Sequence, residues 1–234
     1  MARTHKEIDR ALRALRNPAK ARVLQWFFKT GPGEYGEGDR FLGVVVPQLR
    51  RLVPVFQDAG LATIEKLLRD PFHEKRLLAL LLLVRQYERG DGARRAAIER
   101  FYLAHTDRIN NWDLVDLSAP NIVGAHRLAR NRAIFRRLAR SRSLWERRIA
   151  VVATHALIRA GEFGDTLAVV DILMGNSEDL IHKACGWMLR EVGKRDRRAL
   201  ERYLEPRCRR MPRTMLRYAI ERFPERMRRR YMDR

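Results

Sequence analysis

The sequence predicts an all-α chain, and three observations predict it. Apolar residues recur with helical period through nearly every segment, no run alternates for more than a few residues as a half-buried strand does, and β-branched residues are scattered. The 234 residues, 46% of them hydrophobic, are enough to bury a core, which argues against intrinsic disorder. A single domain over 1–234 is expected.

In chain order, helices are expected near 4–16 and 18–29, separated by the breaker Asn17-Pro18, and then, after the glycine-rich stretch 31–38, near 46–57 and 61–69. Asp70-Pro71 precedes a helix at 73–89, and Gly90-Asp91-Gly92 separates it from one at 93–107. Helices at 111–128, 131–140 and 143–160 follow, closed by Gly161. Beyond it come 163–174, Gly175-Asn176, 178–194, 197–209, Met211-Pro212 and a last helix at 213–230. The longest apolar run, Leu77 to Val84, lies between Arg76 and Arg85 and is too short to span a bilayer.

The helices recur in pairs. Glu74-Lys75-Arg76-Leu77 and Glu146-Arg147-Arg148-Ile149 lie 72 positions apart, Asn111-Trp112 falls near their midpoint, and Ile181-His182-Lys183-Ala184 follows 35 positions after the second. Two helices per roughly 36 residues suggest an α-α superhelix, a HEAT-like repeat solenoid. In the second helix of each pair, basic residues flank an apolar stripe: Lys75, Arg76 and Arg85, then Arg147, Arg148 and Arg159, then Lys183, Arg190 and Lys194. Taken singly, each is an ordinary solvated face; stacked, they would form a concave basic groove.

The net charge is +21, carried by 42 arginines and seven lysines. Coding bias accounts for the preference for arginine but not for the excess, which points to a polyanion: nucleic acid or an anionic membrane surface. Cys185 and Cys208 form no CxxC and suggest neither a disulfide framework nor zinc, and the charged start MARTHKEIDR has no apolar signal region, so a reducing cytosol is expected. Gly31–Gly38 lacks the Lys-Ser/Thr of a P-loop and carries two glutamates that would repel phosphate. The six histidines show no HExxH, no GxSxG is present, and no metal or cofactor is expected.

Asn110-Asn111-Trp112-Asp113-Leu114-Val115-Asp116 is more informative. If an asparagine caps a helix here, Trp112 and Asp116 project from one face, one turn apart. Asp113 near the start is explained by the helix dipole. Asp116 lies too deep for that, and composition alone favours a salt bridge to a neighbouring arginine. Trp187 is flanked by Lys183 and Arg190 where a core indole would be ringed by aliphatics, and Gly186 beside it would admit another backbone or a ligand. Trp145 and Ile149 look like core, which leaves Arg148 at the margin of the buried stripe. It either snorkels or needs a carboxylate or phosphate.

These residues carry a resemblance. NNWDLVD at 110–116, WERRIA at 145–150, HKACGWMLRE at 182–191 and YGEGDRFLGVVVPQLR at 35–50 together resemble the AlkD family of DNA alkylation repair glycosylases, over most of the chain and in order. The resemblance implies excision of cationic N3- or N7-alkylated purines from double-stranded DNA. Asp116 would be the catalytic carboxylate, Trp112 and Trp187 platforms against the lesion's deoxyribose, and Arg148 a phosphate or sugar-side clamp. Some relatives lack this acidic and aromatic set and are not glycosylases; this sequence keeps it. For the family's N-terminal aromatic contact, Phe27, Phe28 and Tyr35 compete. The resemblance also implies capture of the lesion without insertion of the base into a pocket. The other expectations are DNA contacts from Arg147, Lys183, Arg190, Lys194 and Arg159, a monomer and no membrane partner. The rival readings are a non-catalytic helical-repeat module that binds nucleic acid, and a protein scaffold.

Overall fold

In the computed structural model, which describes residues 4–233, the chain is all-α. Among those residues the backbone makes no strand, only an isolated bridge between Arg40 and Phe72. It divides into two compact units, Met1–Ser118 and Ala119–Arg234.

The first unit contains α1 (His5–Ala14), α2 (Pro18–Phe27), α3 (Val46–Phe56), α4 (Leu61–Leu68), α5 (His73–Arg89), α6 (Gly92–Ala104) and α7 (Trp112–Ser118). Local chemistry starts the helices where the breakers stand. Thr4 and Glu7 form a capping box on α1, Asn17 caps α2 with Pro18 in its first turn, and Asp91 caps α6. The apolar run makes α5 the unit's centre, buried without interruption from His73 to Leu83. In the loop before α3, Glu74 accepts hydrogen bonds from the main-chain N–H groups of Leu42, Gly43 and Val44. Gly43 there has φ +85° and lies so close to Asn17 that a Cβ would sit 2.0 Å from its carbonyl oxygen. The glutamates of the 31–38 stretch accept from Gly31 and Gly33 N–H, closing it as a turn.

The second unit opens with a π-helical turn at Pro120–Gly124, followed by α8 (Ala125–Arg127), α9 (Ala133–Ala139), α10 (Leu144–Ala153), α11 (His155–Arg159), α12 (Gly164–Leu173), α13 (Asp179–Arg195), α14 (Arg197–Leu204), α15 (Arg213–Ala219) and α16 (Glu225–Met232). Three expected helices are divided. The 111–128 helix passes through the π turn at Pro120, whose ring has no N–H to donate. The 143–160 helix breaks at Thr154, whose hydroxyl bonds to the Val151 carbonyl. The 213–230 helix stops before Pro224.

Gly186 resolves as a helix contact. A Cβ there would meet the Met215 carbonyl oxygen and Tyr218 Cβ, both at 2.5 Å, so α15 occupies the space that glycine leaves on α13. Gly186→Ala is expected to cost about 1–3 kcal/mol. At roughly 2–4 °C per kcal/mol for a chain this long, calorimetry should register a clear fall in melting temperature.

No helix among the described residues is long and apolar enough to cross a membrane.

Candidate functional site

The start of α7 is built from buried polar groups. Asn111, fully buried, accepts from the Trp112 N–H through Oδ1 at 2.8 Å and donates through Nδ2 to Asp39 at 3.2 Å. Asp113 is more than the dipole partner its position suggests. It is buried, its Oδ1 accepts the Leu114 N–H, and its Oδ2 accepts from His73 Nε2 at 2.8 Å.

His73 reaches Asp39 with its other nitrogen, Nδ1, at 3.1 Å, and Asp39 is also paired with Arg76 at 2.5 Å. Burial by itself would push the His73 pKa down. The Asp113 charge and the hydrogen bonds to Asp113 and Asp39 outweigh it and raise the pKa to about 9. The imidazole is therefore protonated at neutral pH, with both nitrogens donating. Asp39 is held below its ordinary range against the cost of burial, by His73 and Arg76. Two cations and two anions thus balance in an enclosed cluster that joins the loop at 39, the start of α5 and the start of α7.

An aromatic layer lies against this cluster. Phe41 stacks on His73 (centroids 4.9 Å apart, planes at 23°), Phe28 on Phe41 (5.2 Å, 20°) and Trp112 on Phe28 (5.3 Å, 19°). The Trp112 indole is thereby oriented from below. Beside it opens a cavity of about 480 Å³ between α2, α3, α5 and α7, with Trp112 and Asp116 on its wall. Asp116 is half-buried and one turn after Trp112. Its negative charge reaches Tyr102 behind α7, whose hydroxyl pKa is raised mainly by complete burial. Of the competing N-terminal aromatics, Phe28 belongs to the buried layer and Phe27 packs edge-on to Trp112 while staying 53% exposed. Helix α2 buries none of its residues and also presents Trp26 to solvent.

In the second unit, Arg148 is buried and donates to the Leu180 carbonyl at 2.7 Å. Trp187 is half-buried, with its Nε1–H on Glu191 at 3.1 Å and its ring 5.9 Å from that of His155. Burial, reinforced by the charge of Arg159, lowers the His155 pKa, so this imidazole is neutral at pH 7. Despite burial, Glu191 is held ionised by Lys194, 2.6 Å away, and by the indole N–H. Lys183 pairs with Asp179 at 2.6 Å and Arg190 with Glu221. Arg147 donates to the Ser141 and Arg142 carbonyls, and Arg159 is exposed.

The first segment of the expected basic stripe is corrected. Lys75 and Arg76 are buried, Lys75 between Asp9 and Asp70 and Arg76 against Asp39, so they hold structure and face no groove. A helix whose apolar run is buried on all sides also buries the polar residues that precede it, and these must then find partners. That signal at Phe72-His73-Glu74 could have exposed the His73 cluster; a screen of histidines for metal-ligand spacing does not.

The family model for DNA alkylation repair enzymes matches residues 8–223. The chain belongs to that family. Among solved structures it is similar to a predicted DNA alkylation repair enzyme from Enterococcus faecalis, with 18% identity and a TM-score of 0.71 over 90% of this chain and 97% of that one. This likeness shows the all-α helical-repeat fold. A search of curated proteins finds no match. Family membership supports a role in DNA alkylation repair and makes DNA the implied substrate.

Proposed function

We propose that the protein is a monofunctional alkylpurine DNA glycosylase, hydrolysing the N-glycosidic bond of cationic N3- or N7-alkylated purines such as 3-methyladenine and 7-methylguanine in duplex DNA. The observation that carries this reading is Asp116 on the wall of an aromatic cavity, one helical turn from an indole whose orientation the stack beneath it sets. As the C1′–N bond breaks, its electron pair passes into the purine and cancels the ring charge. The sugar becomes oxocarbenium-like, and a carboxylate beside it stabilises that charge and orients water. Water oxygen then bonds to C1′, and its proton passes to Asp116 or solvent. The base leaves neutral, so no general acid is required.

Trp112 offers the sugar an indole face, where developing positive charge gains about 0.5–2 kcal/mol. On the family resemblance, Trp187 is a second such platform and Arg148 a clamp on the sugar or phosphate side. Arg147, Arg159, Lys183, Arg190 and Lys194 are assigned to phosphate neutralisation. The ion pair of Lys183 with Asp179 does not oppose this, because exposed pairs contribute only about 0–1 kcal/mol and phosphates can compete for them.

The test is incubation of purified protein with methylated duplex and chromatography of released bases. Release of 7-methylguanine or 3-methyladenine above a blank is the expected result. Binding without any release would leave the non-catalytic nucleic-acid module, which the +21 charge alone would support. Salt dependence cannot separate the two, since both neutralise phosphates.

A further inference from the structure

We propose that Glu191 is a positioning residue for the reaction: by accepting the Trp187 indole N–H, it fixes the plane in which that ring meets the deoxyribose of a bound lesion. This deepens the glycosylase reading and rests on it. Lys183, Trp187, Arg190 and Lys194 recur along α13 at helical spacing, and Glu191 stands among them, one turn after Trp187. An acid within a stripe assigned to phosphate contact opposes that contact, so its presence calls for another use. The Glu191 side chain is only 15% exposed. Its Oε1 accepts the Trp187 Nε1–H at 3.1 Å and the Lys194 ammonium at 2.6 Å, with Arg190 Nε 3.8 Å away. Burial alone would favour the neutral acid; Lys194 and the indole N–H hold it ionised.

An indole serves a developing cation with its face, and the gain is lost when the ring turns its edge to the charge. Trp112 is held by the rings stacked beneath it. Trp187 is held differently. It is half-buried, and the ring beside it among the described residues, that of His155, is tilted by 49° with centroids 5.9 Å apart. A tilted neighbour limits the swing of the indole without setting its plane. The N–H bond lies in the ring plane, so an acceptor one turn along the same helix sets the rotation that packing leaves open. An ionised acceptor makes that bond roughly twice as strong as a neutral one would. Lys194 and Arg190 offset the negative charge toward phosphate. The site therefore needs from Glu191 an oxygen that accepts the indole N–H; no proton moves to or from it, and it touches neither sugar nor base.

Two substitutions separate the hydrogen bond from the charge. Glu191→Gln removes the charge and keeps an acceptor oxygen, whereas Glu191→Ala removes both. In single-turnover excision of 7-methylguanine from duplex, Glu191→Gln should stay within about threefold of wild type and Glu191→Ala should run about tenfold slower than Glu191→Gln (~1.4 kcal/mol). The two variants share the loss of charge and should bind duplex equally well. In a Trp187→Phe background, whose ring has no N–H to hold, the gap between them should close, an outcome that a merely structural role for Glu191 would not produce. Equal rates for the two variants, or a gap that persists in the Trp187→Phe background, would overturn the positioning role and leave the glycosylase reading intact. A wild type that releases no base would overturn both. Solvent exchange of the Trp187 Nε1–H, followed by NMR in the free protein, should be slow in wild type and Glu191→Gln and at least about tenfold faster in Glu191→Ala. Fast exchange in wild type overturns the proposal even if Glu191→Ala does not fold.

Discussion

Asp116→Asn is expected to lower release of methylated purines by about 10²–10³-fold, the cost of removing one group aimed at charge that develops in a transition state. Duplex binding should stay at the wild-type level. The amide keeps the shape of the carboxylate but replaces one acceptor oxygen with an NH2 donor and carries no charge, so on the proposed mechanism the oxocarbenium-like sugar would lose its counter-ion while the proposed phosphate contacts would stay in place. Single-turnover kinetics on a methylated oligonucleotide, with affinity measured on the same duplex, separates the two quantities. Equal loss of binding and turnover would mean that Asp116 supports the structure of α7 and performs no chemistry.

The second large effect is on stability and has a defined direction in pH. The His73 pKa is raised from 6.5 to about 9 in the folded protein by Asp113 and Asp39, against the opposing effects of burial and Arg76. A raised folded pKa means that the native state holds a proton the unfolded chain releases. The stabilisation is complete below about pH 6.5 and is lost as pH rises toward 9. The gap corresponds to about 3 kcal/mol. Urea unfolding followed from pH 6 to pH 9.5 should show this fall. His73→Ala should remove about 3–5 kcal/mol at pH 6.5, since it leaves Asp113 and Asp39 buried without their shared cation, and its stability should be flatter across the same range. Because other groups also titrate there, the diagnostic quantity is the difference between wild type and variant. Identical pH profiles would show that the imidazole is not the proton carrier.

The two effects are linked through α7. Asp113, held by His73, lies next in sequence to Trp112 and one turn before Asp116's neighbour Leu117, so the cluster that fixes the start of this seven-residue helix also fixes where the indole and the carboxylate point.

Much of this protein is legible without coordinates. Helical period and breakers place most helices, because Asn17, Asp91 and the prolines act on the few residues beside them. The i, i+4 relation of Trp112 to Asp116 is likewise a property of one helical turn. The corrections fall where distant segments meet. Lys75 and Arg76 read as a solvated basic stripe because nothing near them in sequence reveals Asp9 or Asp39. Asp113 reads as a dipole partner because its real partner lies 40 positions earlier. The reading of Gly186 stayed open between a ligand and a backbone until α15 was seen to fill the space.

By itself, then, the sequence determined the helical class, the polyanion-seeking charge, the family resemblance and the indole and acid on one face of α7, all of which follow from local geometry, from order along the chain or from composition. Only the tertiary structure decided which charges are spent inside the protein, that a protonated histidine underlies the candidate site, and that an aromatic cavity opens beside Asp116. The reason is that burial and electrostatic pairing are set by which residues meet in space, and charged groups tens of positions apart acquire their roles only when folding removes the water between them.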